Sequence, residues 1–303
     1  MPRMPWNILI SIAIAYAAVV ALMFVFQSRL VFYPEIGREV SATPQTYGLK
    51  FETVEIRTRD GETLHGWWVP AEEPRGTVLL FHGNAGNISH RLDYLMMFHR
   101  MRHSTLIVDY RGYGKSTGSP SVEGTYRDAE AAWDYLRGAR SVQPRDVVVV
   151  GESLGGAIAS WLAAKLSLIP SPSPEGRREE NGVPEGTRTM TGPRALVLLS
   201  TFTSATDLGA QIYWFLPVRL ISRIGYDNVE QLKRIKAPVF IAHSRDDEVI
   251  PFSHGKKLYE LAAEPKAFLE TRGGHNEGFV FARAEWAAQL AAFLDRAAAG
   301  TAR

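Results

Sequence analysis

The most pronounced pattern in the chain is an uninterrupted apolar segment near its start. No residue between Arg3 and Arg29 is charged, and from Ile8 to Phe26 all residues but one are apolar. A helix over these positions rises about 28 Å at roughly 1.5 Å per residue, which matches the hydrocarbon core of a bilayer. The pattern predicts a membrane-spanning helix, with residues 1–30 as an N-terminal anchor.

A cleaved signal peptide is the alternative interpretation of this segment. The apolar core of a signal peptide is about 7–15 residues long, and the run here is longer. The residues that leave it, Phe24 to Arg29, also lack a small-x-small cleavage site. We therefore predict an uncleaved, single-pass anchor. Basic residues flank the segment on both sides, so the charge rule assigns no side of the membrane to the domain that follows.

After the anchor, short β-rich runs alternate with helical stretches. Apolar runs without polar alternation, such as Val78 to Phe81 and Val147 to Val150, are typical of central parallel strands buried on both faces. The alternation predicts one α/β domain over residues 31–303, with an eight-stranded, mostly parallel sheet and helices on both faces. The predicted strands cover residues 51–56, 64–69, 77–81, 105–109, 147–150, 195–199, 239–242 and 266–270, and the clearest predicted helices cover 126–136, 157–166, 255–262 and 284–298.

Two segments interrupt this alternation. Residues 170–193 contain five prolines and four glycines with few hydrophobic residues, which predicts a flexible insertion outside the core. Residues 201–234 place an aromatic run, Tyr213 to Phe215, and further helical pattern between two strands. Such a segment is either a small lid over a site or ordinary packing, and we treat it as a lid-like insertion.

The overall composition narrows the function classes. The chain has 303 residues, no cysteine, and 34 basic against 32 acidic residues, which gives a formal charge of +2. The absence of cysteine excludes a Cys-ligated zinc or iron–sulfur site. The near balance of charge gives no sign of a general nucleic-acid binder, so we predict no nucleic-acid partner.

One run of residues carries a recognisable catalytic pattern. Gly151 to Gly155, with Ser153 at its centre, follows the valine strand directly and opens a helix of small residues. This strand–turn–helix context is the one in which Gly-x-Ser-x-Gly lifts a serine hydroxyl above a sheet, because the flanking glycines permit a tight turn. We predict Ser153 as a nucleophile.

A serine nucleophile requires a histidine base and a carboxylate that orients it. His275 lies on a glycine-rich turn just after the last predicted strand, where an imidazole can reach inward. Asp246 and Asp247 both follow the strand at 239–242 and are both candidates for the carboxylate. We favour Asp247, because the run that follows it leads into the next helix.

Hydrolysis also requires donors for the developing oxyanion, commonly two backbone N–H groups. One candidate is the amide of Leu154, the residue after the nucleophile. The other is the amide of Asn84, in the turn that follows the strand ending at Phe81. His82 in the same turn is better explained as a structural residue that bonds the backbone than as a catalytic one.

These motifs occur in the order seen in serine hydrolases of the α/β-hydrolase fold. The runs that carry the resemblance are His82 to Asn87, Asp109 to Ser116, Gly151 to Gly156, Asp247 to Pro251 and Gly273 to His275. The chain resembles the membrane-anchored Bem46 or ABHD13-like subgroup from about Val31 to Phe293, and it departs from that pattern in the insertion at 170–193. The resemblance implies a triad of Ser153, Asp247 and His275, with an oxyanion hole at Asn84 and Leu154.

The same resemblance implies hydrolysis of ester, thioester or similar acyl bonds. The predicted chemistry needs no cofactor and no metal. We expect a small-molecule or lipid-like acyl substrate or an acylated protein, with the bilayer as the other partner. Two alternatives remain open at this point: a catalytically inactive membrane scaffold of the same fold, and an amidase or peptidase that uses the same triad.

Overall fold

The computed structural model describes residues 5–36, 38–168 and 192–301. The predicted flexible insertion at 170–193 lies, apart from its last two residues, outside this part of the chain. The remaining sequence forms a sheet with helices on both faces, preceded by one long helix. The predicted α/β architecture is therefore confirmed.

Eight strands form a single sheet. They are β1 (Glu52–Arg57), β2 (Thr63–Val69), β3 (Gly76–Phe81), β4 (His103–Val108), β5 (Val147–Glu152), β6 (Ala195–Leu199), β7 (Val239–Ser244) and β8 (Lys266–Thr271). Each coincides with a predicted strand to within two residues at either end. The sheet order is β1-β2-β4-β3-β5-β6-β7-β8, in which β1–β2 and β2–β4 are antiparallel and the other neighbours are parallel.

The helices precede, connect or follow these strands along the chain. They are α1 (Trp6–Val31), α2 (Leu92–Arg100), α3 (Val122–Gly138), α4 (Leu154–Ser167), α5 (Ala205–Ile212), α6 (Val218–Ile221), α7 (Asn228–Leu232), α8 (Phe252–Leu261) and α9 (Ala284–Thr301). Short 3-10 helices occur at Pro44–Tyr47, Ile88–Arg91, Pro144–Asp146 and Val280–Ala282. The four clearest predicted helices correspond to α3, α4, α8 and α9. The nine-residue α2 has no counterpart among them.

The core consists of two layers separated by the sheet. Successive residues of a strand point to opposite faces, so Leu79 packs among residues of α3, α4, α7 and α8, whereas Leu80 packs among residues of α2 and α9. Strands β3 and β5 are buried along their whole length, in agreement with their apolar runs. This arrangement brings the carboxyl ends of the parallel strands to one edge of the sheet.

Helix α1 matches the apolar segment near the start of the chain. Among the described residues it is the one helix long and apolar enough to cross a membrane, with a mean hydropathy of 2.8 over its most apolar window. Membrane anchors and signal sequences share these properties. The predicted N-terminal apolar helix is thus confirmed in length and composition.

Candidate active site

Ser153 occupies a strained turn between β5 and α4. Its φ of 52° and ψ of −116° place a non-glycine residue in a costly backbone region. The conformation is held from both sides: the Ser153 N–H donates to the Leu199 carbonyl at 2.8 Å, and its own carbonyl accepts from the Thr201 hydroxyl at 2.7 Å. Strain of this kind persists only where the surroundings enforce it, and it is typical of functional sites.

The glycines of the motif are required by close packing. A Cβ on Gly155 would lie 2.2 Å from the Phe81 carbonyl oxygen, and a Cβ on Gly151 would lie 2.3 Å from the carbonyl of Gly155. Neither contact is sterically possible, so only glycine lets α4 begin directly against β3 and β5. This packing sets the position of the Ser153 hydroxyl at the carboxyl edge of the sheet.

Three predicted side chains meet at this edge. The Oγ of Ser153 lies 3.1 Å from Nε2 of His275, and Nδ1 of the same imidazole lies 2.8 Å from Oδ2 of Asp247. The three residues come from the ends of β5, β8 and β7, which are far apart in sequence. The hydroxyl, the imidazole and the carboxylate therefore lie within hydrogen-bonding distance of one another in series. This is the order of groups that a serine nucleophile needs.

Asp247 rather than Asp246 contacts the imidazole. The second oxygen of Asp247 accepts from the backbone N–H groups of Val249 at 3.0 Å and Ile250 at 2.7 Å. Burial tends to raise the pKa of the Asp247 carboxyl, but the hydrogen bonds from His275 and Ile250 outweigh it, and the pKa is lowered on balance. Asp246 instead faces outward, 3.2 Å from the guanidinium of Arg272.

The loop that carries His275 is held by hydrogen bonds to residues for which the sequence motifs predicted no role. The His275 N–H donates to Oε2 of Glu248 at 3.0 Å, and the Ser244 hydroxyl donates to the Gly273 carbonyl. Thr271 closes the base of the loop through a 3.0 Å bond to the Gly278 carbonyl. The only sequence signal for Glu248 is that it follows Asp247 directly.

The turn after β3 lies against Ser153. A Cβ on Gly83 would lie 3.4 Å from the Ser153 Cβ, so this turn abuts the Ser153 side chain. The Asn84 side chain is anchored, because its Oδ1 accepts from the Tyr113 hydroxyl at 2.8 Å and from the Tyr33 N–H at 3.3 Å. Leu154 is the first residue of α4, a position whose N–H has no partner within the helix. Both predicted oxyanion donors therefore lie in backbone that borders Ser153.

His82 has the environment of a structural residue. Its side chain is fully buried, and Nδ1 lies 2.7 Å from the Gly83 carbonyl. Burial is the main cause that lowers the pKa of this imidazole. His82 is thus a neutral group whose hydrogen bond to Gly83 supports the turn that contains Asn84.

A buried ion pair lies beside Ser153. The Glu152 carboxylate accepts from Nε of Arg91 at 2.6 Å, and both side chains are largely withdrawn from solvent. A buried carboxylate needs such a partner, because an unpaired charge in this position would be strongly destabilising. The pair neutralises the acidic residue next to Ser153.

A cavity of about 690 Å³ opens above Ser153 and His275. Its walls are predominantly apolar, as in sites for apolar ligands. One wall is formed by Met23, Gln27 and Leu30, which lie on one face of α1 because their spacing is four and three residues. The hydropathy pattern did not indicate that the N-terminal helix contributes to the site.

Another wall comes from residues 205–223, which comprise α5, α6 and the chain between and after them. We call this segment the cap. Leu208, Tyr213 and Leu216 of the cap line the cavity. The cap also contacts α1, since the Arg223 N–H donates to Oε1 of Gln27 at 2.6 Å. Cap and N-terminal helix together enclose the space in front of the hydroxyl.

Comparisons with known proteins agree with this geometry. Residues 78–290 match the model of the alpha/beta hydrolase family. The Schizosaccharomyces pombe protein bem46 is 32% identical over 266 residues, covering 84% of this chain and 81% of that protein. The Arabidopsis thaliana alpha/beta hydrolase domain-containing protein WAV2 is 32% identical over 263 residues, covering 80% of this chain and 78% of that protein.

Solved structures show the same fold at lower identity. The Pyrococcus furiosus esterase Pf2001 superposes with a TM-score of 0.64 and 20% identity, covering 84% of this chain and 94% of that one. An alpha-beta hydrolase from Vibrio vulnificus superposes with a TM-score of 0.68 and 19% identity, covering 90% of this chain and 93% of that one. Both likenesses extend over most of the chain.

Proposed function

Because the chain belongs to the alpha/beta hydrolase family, we propose that it is a membrane-anchored serine hydrolase that cleaves acyl ester or thioester bonds. The observation that carries the proposal is the hydrogen-bonded series from Ser153 through His275 to Asp247. The solved esterase of similar fold is consistent with ester hydrolysis.

The proposed reaction passes through an acyl-enzyme. The Ser153 Oγ attacks the acyl carbonyl carbon while His275 takes the hydroxyl proton, and the amides of Asn84 and Leu154 hold the resulting oxyanion. The bond to the leaving oxygen or sulfur then breaks, and His275 returns the proton to that group. Water releases the acyl group by the same steps in reverse order. Each oxyanion donor is expected to lower the barrier by about 2.7–4 kcal/mol.

The cavity walls favour a substrate with an apolar acyl group. The space next to Ser153 is lined mainly by apolar side chains of the cap and of α1. A lipid-like acyl ester, or an acylated protein, would place its chain between these walls and its scissile carbonyl at the serine. The reacting groups all belong to the chain, and the proposed steps use no cofactor.

We further propose that α1 is retained as an anchor rather than removed as a signal peptide. Met23, Gln27 and Leu30 form part of the cavity wall, and Gln27 is bonded to the cap. Cleavage after the apolar segment would remove this wall and open the cavity to solvent. Retention of the helix explains why its last turns contain residues that face the cavity in addition to apolar residues that can face lipid.

Labelling by a fluorophosphonate probe tests the proposal. The full-length protein in detergent is expected to form a covalent adduct on the peptide that contains Ser153, because the probe reacts with activated serines. Labelling should disappear in Ser153→Ala and persist in Ser167→Ala at the other end of α4. Folded protein that takes up no probe would instead favour a non-catalytic scaffold.

The α1 wall leads to a prediction about chain length. Leu30→Trp is expected to lower kcat/KM for long-chain acyl esters by about tenfold, because the indole fills space that the acyl chain would occupy. Turnover of an acetyl ester, which needs little of the cavity, should change much less. The measurement is a panel of p-nitrophenyl esters of increasing chain length.

The matched control for this panel is Leu22→Trp. Leu22 lies on the same helix, but its side chain is exposed away from the cavity. It should leave the chain-length profile unchanged. An equal loss for short and long esters in Leu30→Trp would contradict a role of α1 in holding the acyl chain.

A further inference from the structure

The cap presents an apolar edge that is separate from the cavity. Trp214 is 81% exposed, Phe215 is 52% exposed and Leu220 is 88% exposed, and none of the three lines the cavity. The neighbouring residues Tyr213 and Leu216 point the other way and form the cavity wall. The cap is therefore apolar on both sides, and we call Trp214, Phe215 and Leu220 its outer edge.

The segment that carries the outer edge is hydrogen-bonded to α1. The Tyr16 hydroxyl donates to the Phe215 carbonyl at 2.9 Å. Closer to the end of the helix, the Arg223 guanidinium donates to the Phe24 carbonyl at 3.2 Å and lies 4.2 Å from the centre of its ring. The cap thus runs alongside α1 from the level of Tyr16 to that of Phe24.

The length of α1 determines how much of this contact lies within a bilayer. From Trp6 to Ala15, before α1 meets the cap, the helix rises about 15 Å at about 1.5 Å per residue. The hydrocarbon core of a bilayer is about 30 Å thick. A spanning α1 can fill the remaining 15 Å or so only with residues that the cap accompanies. The outer edge must then enter the membrane together with that part of α1.

One charged residue of the cap, Arg223, supports the same depth. Arginine near a membrane boundary buries its aliphatic stem and directs its guanidinium to the interface. If Arg223 marks that interface at the level of Phe24, Tyr16 lies about 12 Å further into the hydrocarbon. The position of Arg223 and the length of α1 therefore agree on the depth of the outer edge.

We propose that the outer edge of the cap is a membrane-inserted surface whose partner is the acyl-chain region of the bilayer. The inference rests on the proposed anchor and specifies where the cap lies relative to the lipid. It accounts for large apolar side chains that are exposed on the protein alone. With the outer edge embedded, the cavity, whose α1 wall begins at Met23, opens at the membrane interface next to lipid acyl chains.

The natural absence of cysteine allows a direct test. Single cysteines at Trp214→Cys and Leu220→Cys, labelled with the fluorophore NBD, are reconstituted as full-length protein in phosphatidylcholine vesicles that contain brominated acyl chains. Ile12→Cys, in the middle of α1, reports whether the anchor is in the bilayer. Leu261→Cys is the matched control, since it is an exposed leucine at the end of α8.

We expect bromine quenching at positions 214 and 220 that approaches the quenching at position 12, and little quenching at position 261. Quenching at 12 but not at 214 or 220 would overturn the membrane-inserted surface and leave the anchor intact. A blue-shifted but unquenched probe at 214 would indicate contact with a second copy and would also overturn it. Absence of quenching at position 12 would overturn the anchor and the surface together.

The measurement does not depend on catalysis and is repeated in the Ser153→Ala background. Failure of the hydrolase proposal would leave this quenching pattern unchanged. A functional readout follows from the paired variant Trp214→Glu and Leu220→Glu, which should lower turnover of an acyl lipid in vesicles by about tenfold, because carboxylates oppose insertion. Turnover of a soluble acetyl ester should be unaffected, and Leu261→Glu should affect neither substrate.

Discussion

Replacement of Ser153 by alanine is expected to lower kcat for acyl ester hydrolysis by about 10⁶-fold, the size typical for loss of the nucleophile in a serine triad. Without the hydroxyl no acyl-enzyme can form, and His275 has no proton to accept. Residual catalysis of about 10³-fold to 10⁴-fold over water should survive, because the oxyanion donors and the cavity still bind the substrate. The measurement is steady-state and single-turnover kinetics on one activated ester.

Two further variants serve as controls for the Ser153→Ala result. Ser167→Ala removes a hydroxyl that, within the described part of the chain, bonds the Ala163 carbonyl of α4, so its kcat should equal that of the wild type. The double variant Ser153→Ala with His275→Ala should be no slower than Ser153→Ala alone, because the two residues act as one unit. Additive losses, or an active Ser153→Ala, would contradict the assignment of Ser153 as nucleophile.

The second large effect is expected at Asp247. Substitution by asparagine should lower kcat by about 10⁴-fold. The Val249 and Ile250 N–H groups bond one oxygen of Asp247, so the asparagine oxygen is held there and its NH₂ group faces His275. The imidazole must then accept at Nδ1 and carry its proton on Nε2. That tautomer cannot take the proton of Ser153.

The adjacent acidic residue is the control for this prediction. Asp246→Asn neutralises a surface carboxylate that pairs with Arg272 and accepts from the Gly273 N–H. It should reduce kcat only slightly, because surface ion pairs contribute little. Equal losses in Asp246→Asn and Asp247→Asn would show that the carboxylates act on the stability of the loop rather than on the imidazole. Thermal unfolding of both variants separates these outcomes.

Much of this architecture could be predicted because its determinants are local. Buried parallel strands need continuous apolar runs, so Val147 to Val150 indicated β5 without any knowledge of its neighbours. The turn at Ser153 could likewise be predicted, since flanking glycines are a local requirement of the strand-to-helix geometry. His275 was indicated by its glycine-rich turn at the end of the last strand.

Other features depend on side-chain direction and could not be read from the pattern. The sequence favoured Asp247 over the adjacent Asp246, but the orientation of the two side chains is what brings the Asp247 carboxylate to the imidazole. The aromatic run of the cap left a lid and ordinary packing equally open. In the structure Tyr213 lines the cavity while Trp214 is exposed, a division that no periodicity in so short a run could reveal.

Sequence analysis alone predicted the eight-stranded sheet, the long apolar helix, and the candidate serine and histidine, and it favoured Asp247 as the carboxylate. Each of these follows from the solvent preference or backbone geometry of a contiguous stretch of residues. The three-dimensional arrangement was needed to show that the Asp247 side chain is the one that faces His275, that Glu248 supports its loop, and that α1 forms a wall of the cavity. These are contacts between stretches that are distant in sequence. The hydropathy of a residue indicates whether it is buried or exposed, but it does not specify which residue it contacts.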